Sequence, residues 1–124
     1  MRHTLIALIL VVAPSLVGAQ TPDDTAYTKA IMHAEVFDKL GDAMIQNASI
    51  ATEKEDKAGA CEALESAARN YTKAIPLYAA ALAAPVDARD KDRKTPEALK
   101  DASDFATTKR DRTQEVFDKH CKPA

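Results

Sequence analysis

The sequence predicts an all-α protein, a three-helix, up-down-up antiparallel bundle closed by one disulfide. Alanine is the most frequent residue, tryptophan is absent and glycine occurs only three times, a composition that favours helices over sheets. Apolar residues recur at steps of three and four in three separate segments. The only two cysteines lie where antiparallel neighbours would bring two helix ends together.

The first helix is predicted over residues 22–52. Thr21 suits the N-cap and Pro22 the first helical position, while Asp23 and Asp24 would face the positive end of the helix dipole. One face then repeats at helical spacing: Tyr27, Ala30, Ala34, Phe37, Gly41, Met44, Ala48 and Ala51. A charged run follows and marks the end of the helix.

The second helix, residues 56–84, carries the most regular pattern. Its main stripe comprises Cys61, Leu64, Ala68, Tyr71, Ile75, Tyr78 and Leu82. A second stripe, mostly alanine, runs beside the first, which predicts a middle helix that contacts two neighbours. Pro76 removes one backbone hydrogen bond, but the stripe keeps its phase across it, which predicts a kink and not a break.

The third helix is predicted over residues 95–121. It opens with Thr95-Pro96-Glu97, a cap followed by a first-turn proline and an acid. Its buried side is expected to comprise Leu99, Ala102, Phe105, Ala106, Val116, Phe117 and Cys121. The middle of this segment, residues 107–114, is polar.

The cysteine positions test this layout. Cys61 lies near the start of the second helix and Cys121 near the end of the third, so antiparallel packing would join them. Two free thiols or an intermolecular pair are the alternatives. A disulfide here would fit an oxidising compartment.

The N-terminus is typical of a cleavable export signal, residues 1–19. Arg2 precedes a run of apolar residues, and small residues at Val17-Gly18-Ala19 suit a cleavage that leaves Gln20 first. Cleavage would leave 105 of the 124 residues, one domain over 20–124. The expected location is the bacterial periplasm, and an uncleaved anchor is the alternative. After cleavage no apolar run is long enough for stable membrane insertion.

The residues that usually carry chemistry are not arranged for it. The sequence contains no Cys-x-x-Cys-His run for haem, no paired Glu-x-x-His for two metals and no glycine-rich phosphate loop. Charges of both signs are mixed and the net charge is −2, which argues against binding to nucleic acid. We therefore expect a protein that is not an enzyme and binds no cofactor or metal.

The leading functional hypothesis is an exported protein-interaction or structural module. The first helix is apolar around more than one face, and a helix with two neighbours in a small bundle need not be so. Met32, Val36 and Ile45 are the candidate interface, toward an unidentified protein partner or a second copy. Whether this broad apolar surface is an interface or part of the core stays open.

The alternative hypothesis is a carrier of a small apolar ligand or cofactor. The Pro76 kink could open a gap between helices, and the candidate pocket comprises Ile31, Pro76, Tyr78 and Phe105. An ordinary aromatic core is the other interpretation of these residues. A group of cations is expected at similar heights on helices two and three, either as an anion site or as a self-neutralised surface: Arg69, Lys73, Lys109, Arg110 and Arg112.

Overall fold

The computed structural model describes residues 24–123, and within them three helices and no strand. Helix α1 is Ala26–Glu53, α2 is Lys57–Ala83 and α3 is Pro96–His120. Helix α2 packs against both α1 and α3, whereas the backbones of α1 and α3 barely approach each other. The predicted three-helix architecture is confirmed, with an open groove between its two outer helices.

The start of α1 differs from the prediction. The helix begins at Ala26 and not at residue 22, so Asp24 precedes it. Thr25 is the N-cap: its hydroxyl accepts the N–H of Thr28 at 3.0 Å and donates to Asp90 of the α2–α3 connection at 2.6 Å. This long-range contact favours Thr25 over Thr21 as the cap. The predicted signal segment, residues 1–19, and Thr21 to Asp23 lie outside the described residues.

The turn between α1 and α2 is a Schellman motif. The N–H of Glu55 donates to the carbonyl of Thr52 at 3.0 Å, and that of Asp56 donates to Ala51 at 2.8 Å. Glu55 has a φ of 57°, in the left-handed region that favours glycine. Asp56 then caps α2 by accepting the N–H of Gly59 at 2.9 Å.

Helix α2 runs unbroken through Pro76, which confirms that the proline does not end the helix, while the kink stays a prediction. Beyond its end, the guanidinium of Arg93 donates to the carbonyls of Ala84 at 2.7 Å and Pro85 at 3.0 Å, so it satisfies terminal acceptors. The same guanidinium lies 4.8 Å from the ring centre of Tyr27. The α2–α3 connection is therefore fastened to the first turn of α1 by Arg93 as well as by Asp90.

Small residues allow α1 and α2 to pack closely. The alanine members of the core are buried to 9% exposure or less: Ala30, Ala34, Ala48, Ala60, Ala63, Ala67, Ala68, Ala74, Ala81, Ala84 and Ala106. Gly41 faces the ring of Tyr71, which is 1% exposed, and a Cβ atom at Gly41 would overlap that ring. Glycine at this position therefore avoids a steric conflict with Tyr71.

The disulfide joins the ends of α2 and α3. Cys61 and Cys121 are bonded, with their Cα atoms 5.7 Å apart, which confirms the predicted pairing. Among residues 24–123, no helix is both long and apolar enough to cross a membrane.

Candidate functional site

A polar cluster, here called the polar strap, links α1 to α3 across the face of α2. The Lys109 ammonium lies 2.5 Å from the Asp38 carboxylate and 3.0 Å from that of Asp42. The two tyrosines of α2 donate to the same carboxylates, Tyr71 to Asp42 at 2.6 Å and Tyr78 to Asp38 at 2.7 Å. These side chains span a gap that the backbones leave open.

Spacing along the helices creates the polar strap. Asp38 and Asp42 are one turn apart on α1, and Tyr71 and Tyr78 are two turns apart on α2, so each pair shares a face. Lys109 reaches both carboxylates from α3, and its ammonium also lies over the rings of Tyr71 at 4.9 Å and Phe105 at 4.7 Å.

The electrostatics keep both tyrosines neutral and the lysine charged. Burial, and then the hydrogen bond to a carboxylate, raise the pKa of Tyr71 and of Tyr78. Burial alone would lower the pKa of Lys109, but its bonds to Asp38 and Asp42 outweigh this and raise it. One ammonium is shared by two carboxylates, and each carboxylate also accepts a tyrosine hydroxyl, an arrangement that suits a structural link between helices.

Beyond the polar strap, a groove runs between α1 and α3 with α2 as its floor. One depression of about 420 Å³ begins at Tyr71, and a second of about 450 Å³ reaches the disulfide. Leu64 and Val116 line both depressions, so the two adjoin at these side chains, and together they are called the groove here. Ile45 of α1 lines the part next to the polar strap.

The residues of the predicted ligand pocket do not share an environment. Ile31 and Tyr78 belong to the buried core, whereas Pro76 is exposed and Phe105 is 61% exposed. The aromatic-core interpretation therefore suits Ile31 and Tyr78. A ligand at these four residues stays a prediction, and the groove described above lies elsewhere.

The three predicted interface residues lie on two different sides of α1. Met32 and Val36 are more than half exposed, but Ile45 is only partly exposed and lines the groove. Leu40 and Ile50 join the first two. These four residues are here called the outer stripe. An α-helix turns about 100° per residue, so the four side chains lie within an arc of about 80° around the axis of α1.

Most of the predicted cation cluster is neutralised by local partners. Arg69 pairs with Glu65 at 3.6 Å and Arg110 with Asp111 at 2.9 Å, while Lys109 belongs to the polar strap. These contacts favour the self-neutralised surface. Lys73 and Arg112 are the exceptions, with no hydrogen bond or ion pair within residues 24–123: the ammonium of Lys73 lies 5.4 Å from the ring centre of Phe37, and Arg112 lines the groove.

In the described part of the chain, no group of three or more His, Cys, Asp and Glu residues could hold a metal ion. Comparison with protein-family models, with curated proteins and with solved structures found no match to this chain.

Proposed function

We propose that the protein is exported to the bacterial periplasm and works without catalysis, by binding a protein partner through the outer stripe. The signal-like N-terminus and the Cys61–Cys121 bond support export to an oxidising compartment. The exposure of the outer stripe supports the binding role.

The observation that carries this proposal is the position of the outer stripe. Its four side chains are between 42% and 56% exposed. The residues that α1 buries against α2, such as Ala34, Gly41 and Ala48, are centred about 150° away around the helix. Helix α1 is thus apolar on two opposite faces, and residues 24–123 cover only one of them. A group of exposed apolar side chains on one face of a helix is typical of an interaction surface.

The charges around the outer stripe indicate the chemistry of the partner. Lys29 and Lys39 of α1, and Lys54 directly after its end, are exposed and lie within the same arc or about 20° from its edge. A second copy would bring these lysines against one another. A partner surface with an apolar strip flanked by carboxylates would match both features, so we assign the outer stripe to an acidic amphipathic surface of another protein.

A photo-crosslinking side chain at Val36, and separately at Ile50, tests this assignment in the native host. Both positions are expected to capture the same protein, through an acidic amphipathic segment of it. Ala80, exposed on α2, is the matched control position and should not capture it. Lys39→Glu should weaken capture, because the mutation removes a cation beside the stripe.

Three outcomes would contradict the assignment. The first is capture of unrelated proteins at the two positions. The second is capture of a second copy of this chain. The third is binding to anionic vesicles that is lost in Val36→Asp, which would assign the stripe to a lipid surface instead.

A second candidate function, transport of a small apolar molecule, is favoured by a separate observation. The groove between α1 and α3 is lined by Ile45, Leu64 and Val116 and is open along its length. Apolar grooves with a few polar groups are typical of small-molecule sites.

A further inference from the structure

We propose that the groove binds a medium-chain monocarboxylate, one unbranched apolar chain with one carboxylate, whose headgroup is bound by Arg112. This inference rests on the second candidate function, because it names the ligand class for the same groove. Three features of the groove support it: its apolar walls, the unpaired guanidinium of Arg112 at the end next to the polar strap, and its length.

The walls suit a hydrocarbon chain. Ile45 comes from α1, Leu64 and the ring of Tyr71 from α2, and Val116 from α3, so every side of the groove presents carbon. The far end is formed by the disulfide together with Ala60. A linear chain lying here would exchange water contact for contact with these apolar side chains.

The polar end suits a carboxylate. Lys109 lines the groove, but its ammonium is already bonded to Asp38 and Asp42. Asp42 also faces the groove, and its charge is met by that ammonium and by the hydroxyl of Tyr71. Arg112 is the cation on this rim whose donors have no partner in residues 24–123, and a guanidinium binds a carboxylate with two parallel hydrogen bonds.

The length of the groove limits the length of the chain. Helix α3 lines it from Arg112 to Cys121, and at 1.5 Å per residue this is about 13 Å, the length of an extended chain of about ten carbon atoms. The other end is rimmed by charged side chains, Glu55 and Lys57. A much longer chain would have to project past these residues into water.

Calorimetric titration of the purified protein with sodium decanoate, and with decanol, tests the proposal. Decanoate is expected to bind one molecule per chain, about tenfold more tightly than decanol, because only the acid can pair with Arg112. Arg112→Gln should reduce the affinity for decanoate to that for decanol. Arg110→Gln is the matched control, since Arg110 is already paired with Asp111, and it should leave both affinities unchanged.

The outcomes separate the ligand class from the carrier function. Equal affinity for decanoate and decanol, or an unchanged decanoate affinity in Arg112→Gln, would overturn the carboxylate assignment and leave a carrier of uncharged molecules. Failure of both probes to bind would overturn both. Val116→Glu, a charge placed in the wall at a partly exposed position, should abolish binding of both probes, and persistence of binding would place the site outside the groove.

Discussion

The ammonium of Lys109 on α3 and the carboxylate of Asp38 on α1 lie 2.5 Å apart, although the backbones of their helices barely approach each other. Both side chains are mostly buried, at 19% and 16% exposure. The hydroxyl of Tyr78 on α2 donates to the same carboxylate. Together these two contacts fix the distance between α1 and α3. The width of the groove therefore depends on the polar strap.

Lys109→Met should destabilise the protein by about 2 kcal/mol, because Asp38 would keep a buried charge without its cation. Urea unfolding near neutral pH measures this loss. Lys100→Met, at an exposed position of the same helix, is the control and should stay within about 0.5 kcal/mol of the parent protein. Equal effects of the two substitutions would show that the polar strap does not stabilise the fold.

Stability should fall as the pH rises above about 10. The pKa of Tyr71 and of Tyr78 is raised in the folded state, so the unfolded chain loses these protons first and becomes relatively more favourable. The raised pKa of Lys109 acts in the same direction. Each such group steepens the decline by up to about 1.4 kcal/mol per pH unit. A Tyr71→Phe/Tyr78→Phe double variant should show a shallower decline between about pH 10 and 12 in urea unfolding; an unchanged decline would contradict the buried hydroxyl contacts.

Gly41→Ala should cost about 1–3 kcal/mol of unfolding free energy, because the new methyl group overlaps the ring of Tyr71. Ser49→Ala, at an exposed position of α1, controls for the effect of alanine on the helix itself. In a Tyr71→Leu background the cost of Gly41→Ala should shrink, which a double-mutant cycle measures. If Gly41→Ala cost the same free energy in both backgrounds, the steric overlap would not involve the ring of Tyr71.

Glu55→Gly should stabilise the protein by about 0.5–1 kcal/mol, because Glu55 holds a φ of 57° that glycine adopts without strain. Ser49→Gly, at an exposed position inside α1, should instead destabilise by about 1 kcal/mol. Thermal unfolding of both variants gives the comparison. Destabilisation by both substitutions would contradict the left-handed cap.

Replacing both cysteines with alanine should remove about 4 kcal/mol of stability, since the bond closes a 60-residue separation. Urea unfolding with and without dithiothreitol measures this. The reductant should lower the stability of the parent protein and leave the Cys61→Ala/Cys121→Ala variant unchanged. A parent protein insensitive to complete reduction would contradict a stabilising role for the bond.

The three helices could be predicted from the sequence because their caps and apolar spacing are local signals. The disulfide then followed from the antiparallel order of the second and third helices. Thr95 caps α3 as predicted, accepting the N–H of Ala98 at 3.1 Å. The end of α1 falls at Glu53, one residue past the prediction. Its start could not be found locally, because Thr21 and Thr25 are both plausible caps and the contact between Thr25 and Asp90 decides between them.

The polar strap was not predicted. Lys109 lies in the polar stretch of the third helix, where a charged residue is usually solvated, and its partners are 71 and 67 residues away in sequence. Asp38 and Asp42 lie one helical turn apart, and each directly follows a residue of the predicted buried face of α1. This pairing of two acids beside the buried face is the one sequence signal that could have indicated them. The sequence places Ile45 in the candidate interface, whereas the structure places it in the groove. Apolar residues cover so much of α1 that the sequence alone does not separate its groove side from its outer side.

The central claim is that the outer stripe of α1 binds an acidic partner protein, and native mass spectrometry of the protein purified gently from its host tests it most directly. The parent protein is expected to appear as a complex with one other protein, and Val36→Asp, at an exposed position, as the chain alone. Parent and variant that both appear as a bare chain, or that both keep the same partner, would contradict the claim.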